Sequence, residues 1–409
     1  MENNIKWRGK FLTIAIGQAI SLIGSSAVQF ALIWWLAEQT ASPMIMGIAG
    51  LAAYLPMAFL SPFAGVAADK YNRKLICIIA DLSMGLAALV AAVLLDAITF
   101  PIWAVLIILF IRGIGGTFHQ PAIQSIIPQL VPAEELVRVN GWMQLMTAGS
   151  FILGPVIGAA LYAALPMSLV LLTDVIGAVF ASSALAVVKI PRLESYESHK
   201  VGFFAHFKEG IQVYREDKNL LTLMIAEVLC MLFYAPLSTF YPLMTSDYFD
   251  LSAMYGSIVE VTFAAGMMIA ALLFGSILNI KNKLRTSYLG LWGIGVTTAL
   301  CGLVPATFIG WIVFAVTCAA MGAFGNVHGI PLTAYIQETV APEKMGRAFS
   351  LIGQVTAFTM PAGLLISSPV AEKVGVHMWF LLSGIGILTV LALVIGIGSV
   401  LKKRQKRIK

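Results

Sequence analysis

Charge is scarce in this chain. Only 11% of its 409 residues are Asp, Glu, Lys or Arg, under half of the roughly 25% usual in a soluble domain, so a water-facing shell around a core of this size cannot be built. Long polar segments are missing too. The longest, 189–219, is too short to fold as a nucleotide-binding domain, and no Gly-x-x-x-x-Gly-Lys-Ser/Thr phosphate loop occurs, which excludes ATP as the direct energy source. Cysteine is limited to Cys77, Cys230, Cys301 and Cys318. All four lie in apolar stretches at unrelated spacings, so neither a disulfide framework nor a zinc site is indicated, and they act as small hydrophobes. No basic face gathers the net charge of +6, which is spread over loops; this excludes a nucleic-acid binder and leaves the membrane surface as its partner. No cofactor or metal is expected.

What is present is hydrophobic: 59% of the residues, with a mean hydropathy of +0.90. Runs of spanning length fall near 11–37, 44–67, 75–95, 101–120, 141–164 and 168–188, then near 220–243, 254–279, 287–304, 307–328, 348–371 and 378–401, each close to the ~20 residues that cross a bilayer. The first run follows Lys6, Arg8 and Lys10 and exceeds a signal-peptide core, so it is expected to be a retained span. Placing the N-terminus in the cytoplasm puts 24 of the 26 Lys and Arg residues on the inner side, with Lys373 outside and Arg112 within a span. Both termini are therefore expected in the cytoplasm. The predicted fold is an all-α membrane protein of 12 transmembrane helices: a six-helix half at 1–188, a connector at 189–219 carrying a short amphipathic helix, a second half at 220–401, and a basic tail at 402–409. An offset of 209 residues pairs Gly113 with Gly322, Gly116 with Gly325, His119 with His328, Glu134 with Glu343 and Arg138 with Arg347. Two halves of equal sidedness make this a parallel repeat.

Between the second and third spans stands Gly65-Val66-Ala67-Ala68-Asp69-Lys70-Tyr71-Asn72-Arg73-Lys74. It resembles the cytoplasmic-loop signature of the major facilitator superfamily. A turn of this kind uses Gly65 for close helix approach, Asp69 at a neighbouring helix N-terminus near Gly346, and Arg73 to complete a charge network, forming a latch that holds the cytoplasmic side closed. Arg112-Gly113-Ile114-Gly115-Gly116 is similar to the superfamily's intramembrane arginine motif. Arg112 lies about 16 Å from the start of its span, near the midplane. Ser150 to Ala159, with Gly154, Pro155 and Gly158, is similar to the motif of the superfamily's exporters, with Ser150 and Ala159 in place of the outer glycines. Phe110-Ile111-Arg112, Val131 to Leu136 and Trp379 to Gly384 narrow the resemblance to the macrolide-efflux-like branch of drug:proton antiporters.

Four carboxylates lie within spans: Asp81, Asp174, Glu227 and Glu260. Apolar surroundings favour the neutral form of a carboxyl group, as a proton carrier requires, so these four and Arg112 are the candidates for proton coupling. Glu227 with Arg112 is the expected coupling pair; Asp81 and Asp174 lie at similar depth to Arg112, and either is an alternative partner for it. His119 and His328 are placed at equivalent helix ends and assigned to the fold. Gln18, Ser21 and Gln29 on the first span and Tyr234 on the seventh are polar interruptions in spans that the resemblance puts around a central cavity, which suits loose recognition of amphipathic ligands. The resemblance implies a monomeric bacterial cytoplasmic-membrane exporter of amphipathic drug-like solutes, exchanging them for protons by alternating access. Export of a native metabolite or siderophore is the alternative, and a transport-silent sensor or scaffold a third reading. Neither enzymatic chemistry nor any partner beyond substrate, proton and lipid is expected.

Overall fold

In lipid a chain of apolar runs can satisfy its backbone groups only by coiling each run into helix, and that is what the computed structural model shows. It describes residues 2–97, 101–132, 135–190, 203–276 and 281–408. The helices are α1 (Glu2–Thr40), α2 (Pro43–Lys70), α3 (Arg73–Ala97), α4 (Ile102–Leu130), α5 (Leu136–Ala164), α6 (Met167–Val187), α7 (Phe203–Glu216), α8 (Lys218–Tyr234), α9 (Leu237–Leu243), α10 (Ala253–Ser276), α11 (Lys283–Cys301), α12 (Phe308–Thr339), α13 (Pro342–Val374) and α14 (Val376–Ile408). A π-helical turn, Met244–Tyr248, continues α9. Among the described residues eleven segments are long and apolar enough to cross a membrane, the stretch Lys218–Tyr248 counting as one. The twelfth is α11. Gly290, Gly293, Gly295, Thr297 and Thr298 dilute its hydropathy, and all five are buried by its neighbours, so its surroundings are protein more than lipid. Side chains facing outward are correspondingly apolar, as at Phe63, Phe151 and Ile309, 66%, 66% and 74% exposed.

Several helices run further than the apolar runs predict. α4 continues through Pro121 and Pro128 to Leu130, and α12 through Pro331 to Thr339. Proline removes one backbone bond and bends a helix without having to end it. His119 and His328 therefore sit inside their helices and not at the ends where the sequence suggests them. The seventh span, by contrast, is interrupted: Ala235 and Pro236 separate α8 from α9, Pro242 lies within α9, and the π turn follows.

The chain forms two compact units, one of Met1–Gln39 with Leu51–Lys200 and one of Thr40–Gly50 with Val201–Lys409. Each has its own apolar core. In the first, Phe11 and Ile14 of α1 meet Cys77 of α3, Ile123 and Ile126 of α4 and Leu185 of α6. In the second, Leu223 and Cys230 of α8 meet Leu291 and Ile294 of α11, Ile336 of α12, Leu351 of α13 and Ile387 of α14. The four cysteines are buried and unbridged.

The loop between α2 and α3 works through helix ends. Arg73 Nε donates to the Ala68 carbonyl at 2.8 Å, near the C-terminus of α2, and Lys74 Nζ donates to the Ala186 and Val188 carbonyls at 2.8 and 3.0 Å, at the C-terminus of α6. Cations there answer both the orphan carbonyls and the negative end of the helix dipole. Lys74→Ala is expected to lower stability by about 0.5–1 kcal/mol, measured as thermal unfolding in detergent micelles. Gly65 departs from expectation: a Cβ built there meets nothing within 4 Å, so no close helix approach is made at it. The Asp69 side chain lies outside the described residues, as do Glu134 and residues 191–202 of the connector.

Candidate functional site

The small residues of α5 set the first unit's geometry. A Cβ on Gly158 would stand 2.5 Å from the Ala27 carbonyl oxygen and 3.1 Å from its Cα, and one on Gly154 would run into the side chain of Ser26. Both glycines, flanking Pro155, thus let α5 lie directly on the backbone of α1. That contact fixes the stretch of α1 that carries Ser25 and Gln29.

Ser25 and Gln29 complete a buried charge network with α4 and α6. Arg112 Nη1 donates to Asp174 Oδ2, Nη2 donates to the Ser25 carbonyl at 2.7 Å, and Nε donates to Gln29 Oε1 at 3.4 Å; Ser25 Oγ donates to Asp174 Oδ1 at 2.6 Å. The side chains of Arg112 and Asp174 are 8% and 3% exposed. All three guanidinium nitrogens and both carboxylate oxygens are used, which is the condition under which a buried ion pair repays its desolvation. Of the two aspartates at similar depth, Asp174 is the one that meets Arg112. Asp81 instead faces His119, with Oδ1 3.4 Å from Nε2.

In the second unit Glu227 of α8 faces His328 of α12, Oε1 to Nε2 at 3.8 Å, with side chains 12% and 4% exposed. Each of the expected coupling residues, Arg112 and Glu227, thus has an oppositely charged or chargeable neighbour in its own unit. Ser287 of α11 holds the other side of the imidazole, its Oγ 2.7 Å from Nδ1. Glu260 of α10 accepts a hydrogen bond from the hydroxyl of Tyr241 on α9. No group of three or more His, Cys, Asp or Glu suited to a metal ion occurs among the described residues.

Of the polar residues expected to meet substrate, Gln29 and Ser21 are engaged within the first unit. Gln29 is engaged by Arg112, Ser21 is buried with its Cα 3.0 Å from where a Cβ on Gly177 would stand, Gln18 is buried with Nε2 unpartnered, and Tyr234 is half-buried at the end of α8. Sequence reasoning did not single out Ser25 or Ser287, since a lone serine in an apolar run carries no periodic signal. The His119–His328 repeat was the one available pointer to the histidine sites.

The pattern of the Major Facilitator Superfamily matches residues 14–364. The chain belongs to that superfamily. It is a multi-pass membrane transporter, not an enzyme. Macrolide efflux protein A of Streptococcus pyogenes is 38% identical to it over 385 residues, covering 94% of this chain and 95% of that protein. The protein of the same name from Enterococcus faecalis is 35% identical over 324 residues, 79% of this chain and 99% of that one. The transporter is thus macrolide-efflux-like in sequence. In fold it is similar to the crystal structure of the nucleoside transporter NupG (D323A mutant), with a TM-score of 0.73 at 10% identity over 95% of this chain and 99% of that one.

Proposed function

We propose that the transporter exports amphipathic drug-like solutes of the macrolide type across a bacterial cytoplasmic membrane, in exchange for protons and by alternating access, as a monomer with both termini in the cytoplasm. The observation that carries this reading is the similarity to macrolide efflux protein A along nearly the whole of both chains. Energy supply supports it. One proton crossing 100 mV releases about 2.3 kcal/mol, and each tenfold gradient of a neutral solute costs about 1.4 kcal/mol, so one proton sustains a gradient of roughly fortyfold. The distribution of Lys and Arg supports the orientation.

The test is accumulation in a bacterial host lacking its own efflux pumps. Cells making the transporter are expected to retain less labelled macrolide than cells with an empty vector, and a panel of unlabelled macrolides is expected to restore retention by competition. Catecholate siderophores are expected not to compete. Competition by siderophores alone would replace the proposal with export of a native metal-scavenging metabolite.

A further inference from the structure

The two histidines paired by the internal repeat, His328 buried and His119 partly buried, each end up beside a carboxylate, but the carboxylate comes from a different helix in each unit. At the 209-residue offset that matches His119 to His328, Asp81 corresponds to Gly290, and Gln18 corresponds to Glu227. In the first unit the acid facing the histidine is on α3 and the α1 position is an amide. In the second unit the α3-equivalent position is Gly290, so close to α12 that a Cβ there would lie 2.7 Å from the Cα and Cβ of His328, and the acid is on α8. The histidine–carboxylate contact recurs although the helix that supplies the acid has changed.

These contacts are unfinished in a way that the Arg112 network is not. Glu227 Oε2, His328 Nε2, Asp81 Oδ2 and His119 Nε2 are all buried without a hydrogen-bond partner. Leaving such atoms unsatisfied is costly. In the second unit the imidazole is oriented from behind. Nδ1 lies 3.2 Å from the Ser287 carbonyl, which can only accept, and the Ser287 hydroxyl donates to the His328 carbonyl at 3.1 Å. Ser287 Oγ, 2.7 Å from Nδ1, pairs with that nitrogen in either tautomer; when the hydroxyl donates to the His328 carbonyl, Nδ1 carries the hydrogen and Nε2, opposite Glu227, is the ring atom open to a proton.

We propose that Glu227 and His328, oriented by Ser287, form the site that holds the transported proton; this rests on the reading of the protein as a proton-driven exporter. With one proton bound, the pair is either carboxylate with imidazolium or carboxyl with neutral imidazole, and its net charge is zero. Release of that proton to water leaves carboxylate and neutral imidazole, net charge −1. A net charge is tolerated poorly in the closed apolar surroundings seen here, so unloading requires the site to become hydrated. Loading and opening are thereby linked, as a proton-driven cycle needs. Among the described residues the groups around the pair do not supply a compensating charge. Tyr214 of α7 and Cys230 of α8 are the titratable neighbours of Glu227, with Tyr288 of α11 and Tyr335 of α12 beyond them; α13 and α14 contribute Leu351, Val355, Ile387 and Leu391 to the same cluster. Toward the ends of these helices Asp217 accepts from the Tyr335 hydroxyl and Lys283 pairs with Glu338, while Lys218 and Arg285 are exposed.

Two readouts on the full-length protein in proteoliposomes test this. The first needs no substrate: infrared difference spectra between alkaline and acidic buffer are expected to show a protonated-carboxyl band of which one component is lost in Glu227→Gln and kept in Glu216→Gln, an exposed control. The second is proton release into weakly buffered medium on adding a macrolide, expected from the wild type and abolished in Glu227→Gln, while exchange of labelled for unlabelled macrolide, which moves no net proton, persists. Should Glu227→Gln not fold, Ser287→Ala keeps both titrating groups and is expected to move the pH of half-maximal export by about one unit, an effect that loss of packing alone does not give. An unchanged carboxyl band with undiminished proton release in Glu227→Gln, or an unmoved pH profile in Ser287→Ala, would overturn the proposal. A wild type that handles no macrolide refutes the proposed function instead, and the infrared readout still decides the pair.

Discussion

Arg112→Ala is expected to cost about 3–5 kcal/mol of stability, because it strands a carboxylate that is 3% exposed and left with one donor, Ser25 Oγ. Asp174→Ala is expected to cost a similar amount by stranding the guanidinium. The double variant Arg112→Met/Asp174→Leu removes both charges and fills their volume, so it is expected to recover most of the loss. Thermal unfolding in detergent micelles measures all three. A double variant as unstable as the sum of the singles would mean that the two residues act independently, contrary to the closed network of hydrogen bonds around them.

The second large effect is steric. Gly158→Ala is expected to destabilise by about 1–3 kcal/mol, because the new Cβ meets the backbone oxygen and Cα of Ala27, which cannot be moved without moving α1. Gly154→Ala clashes chiefly with a serine side chain, the Ser26 Oγ and Cβ, and comes no closer than 3.2 Å to the Ser26 backbone. Ser26→Gly is therefore expected to rescue Gly154→Ala, whereas no single substitution at Ala27 rescues Gly158→Ala. Equal rescue at both positions would show that α5 does not rest on the α1 backbone at Gly158.

Helix number and repeat were legible because lipid allows the backbone few solutions and because nearly all Lys and Arg sit between spans. The weakest span, α11, shows the limit of that rule: the face carrying its glycines and threonines is buried against other helices and is under no pressure to be apolar, while Leu289, Trp292 and Leu300 face outward. Prolines were misleading where a helix passes through them, as at Pro121 and Pro331, and that is why two interior histidines looked terminal. Depth along a helix placed Asp81 and Asp174 equally near Arg112. Choosing between them depends on helix rotation and on the Ser25 carbonyl of α1, neither of which sequence spacing encodes. At Gly65 the structure makes no close contact, and a glycine in a motif does not by itself say whether it serves packing or something else. Gly154 and Gly158 carried the same ambiguity, and there the close approach is present.

The most direct measurement of the central claim is macrolide uptake by everted membrane vesicles under an imposed proton gradient, with and without a protonophore. Proton-driven export predicts inward accumulation that approaches roughly fortyfold at the equivalent of 100 mV for one proton, an accompanying loss of protons from the vesicle interior, and collapse to equilibrium when the protonophore is added. Accumulation of the same size after the proton gradient has been abolished, or none under any gradient, would contradict it.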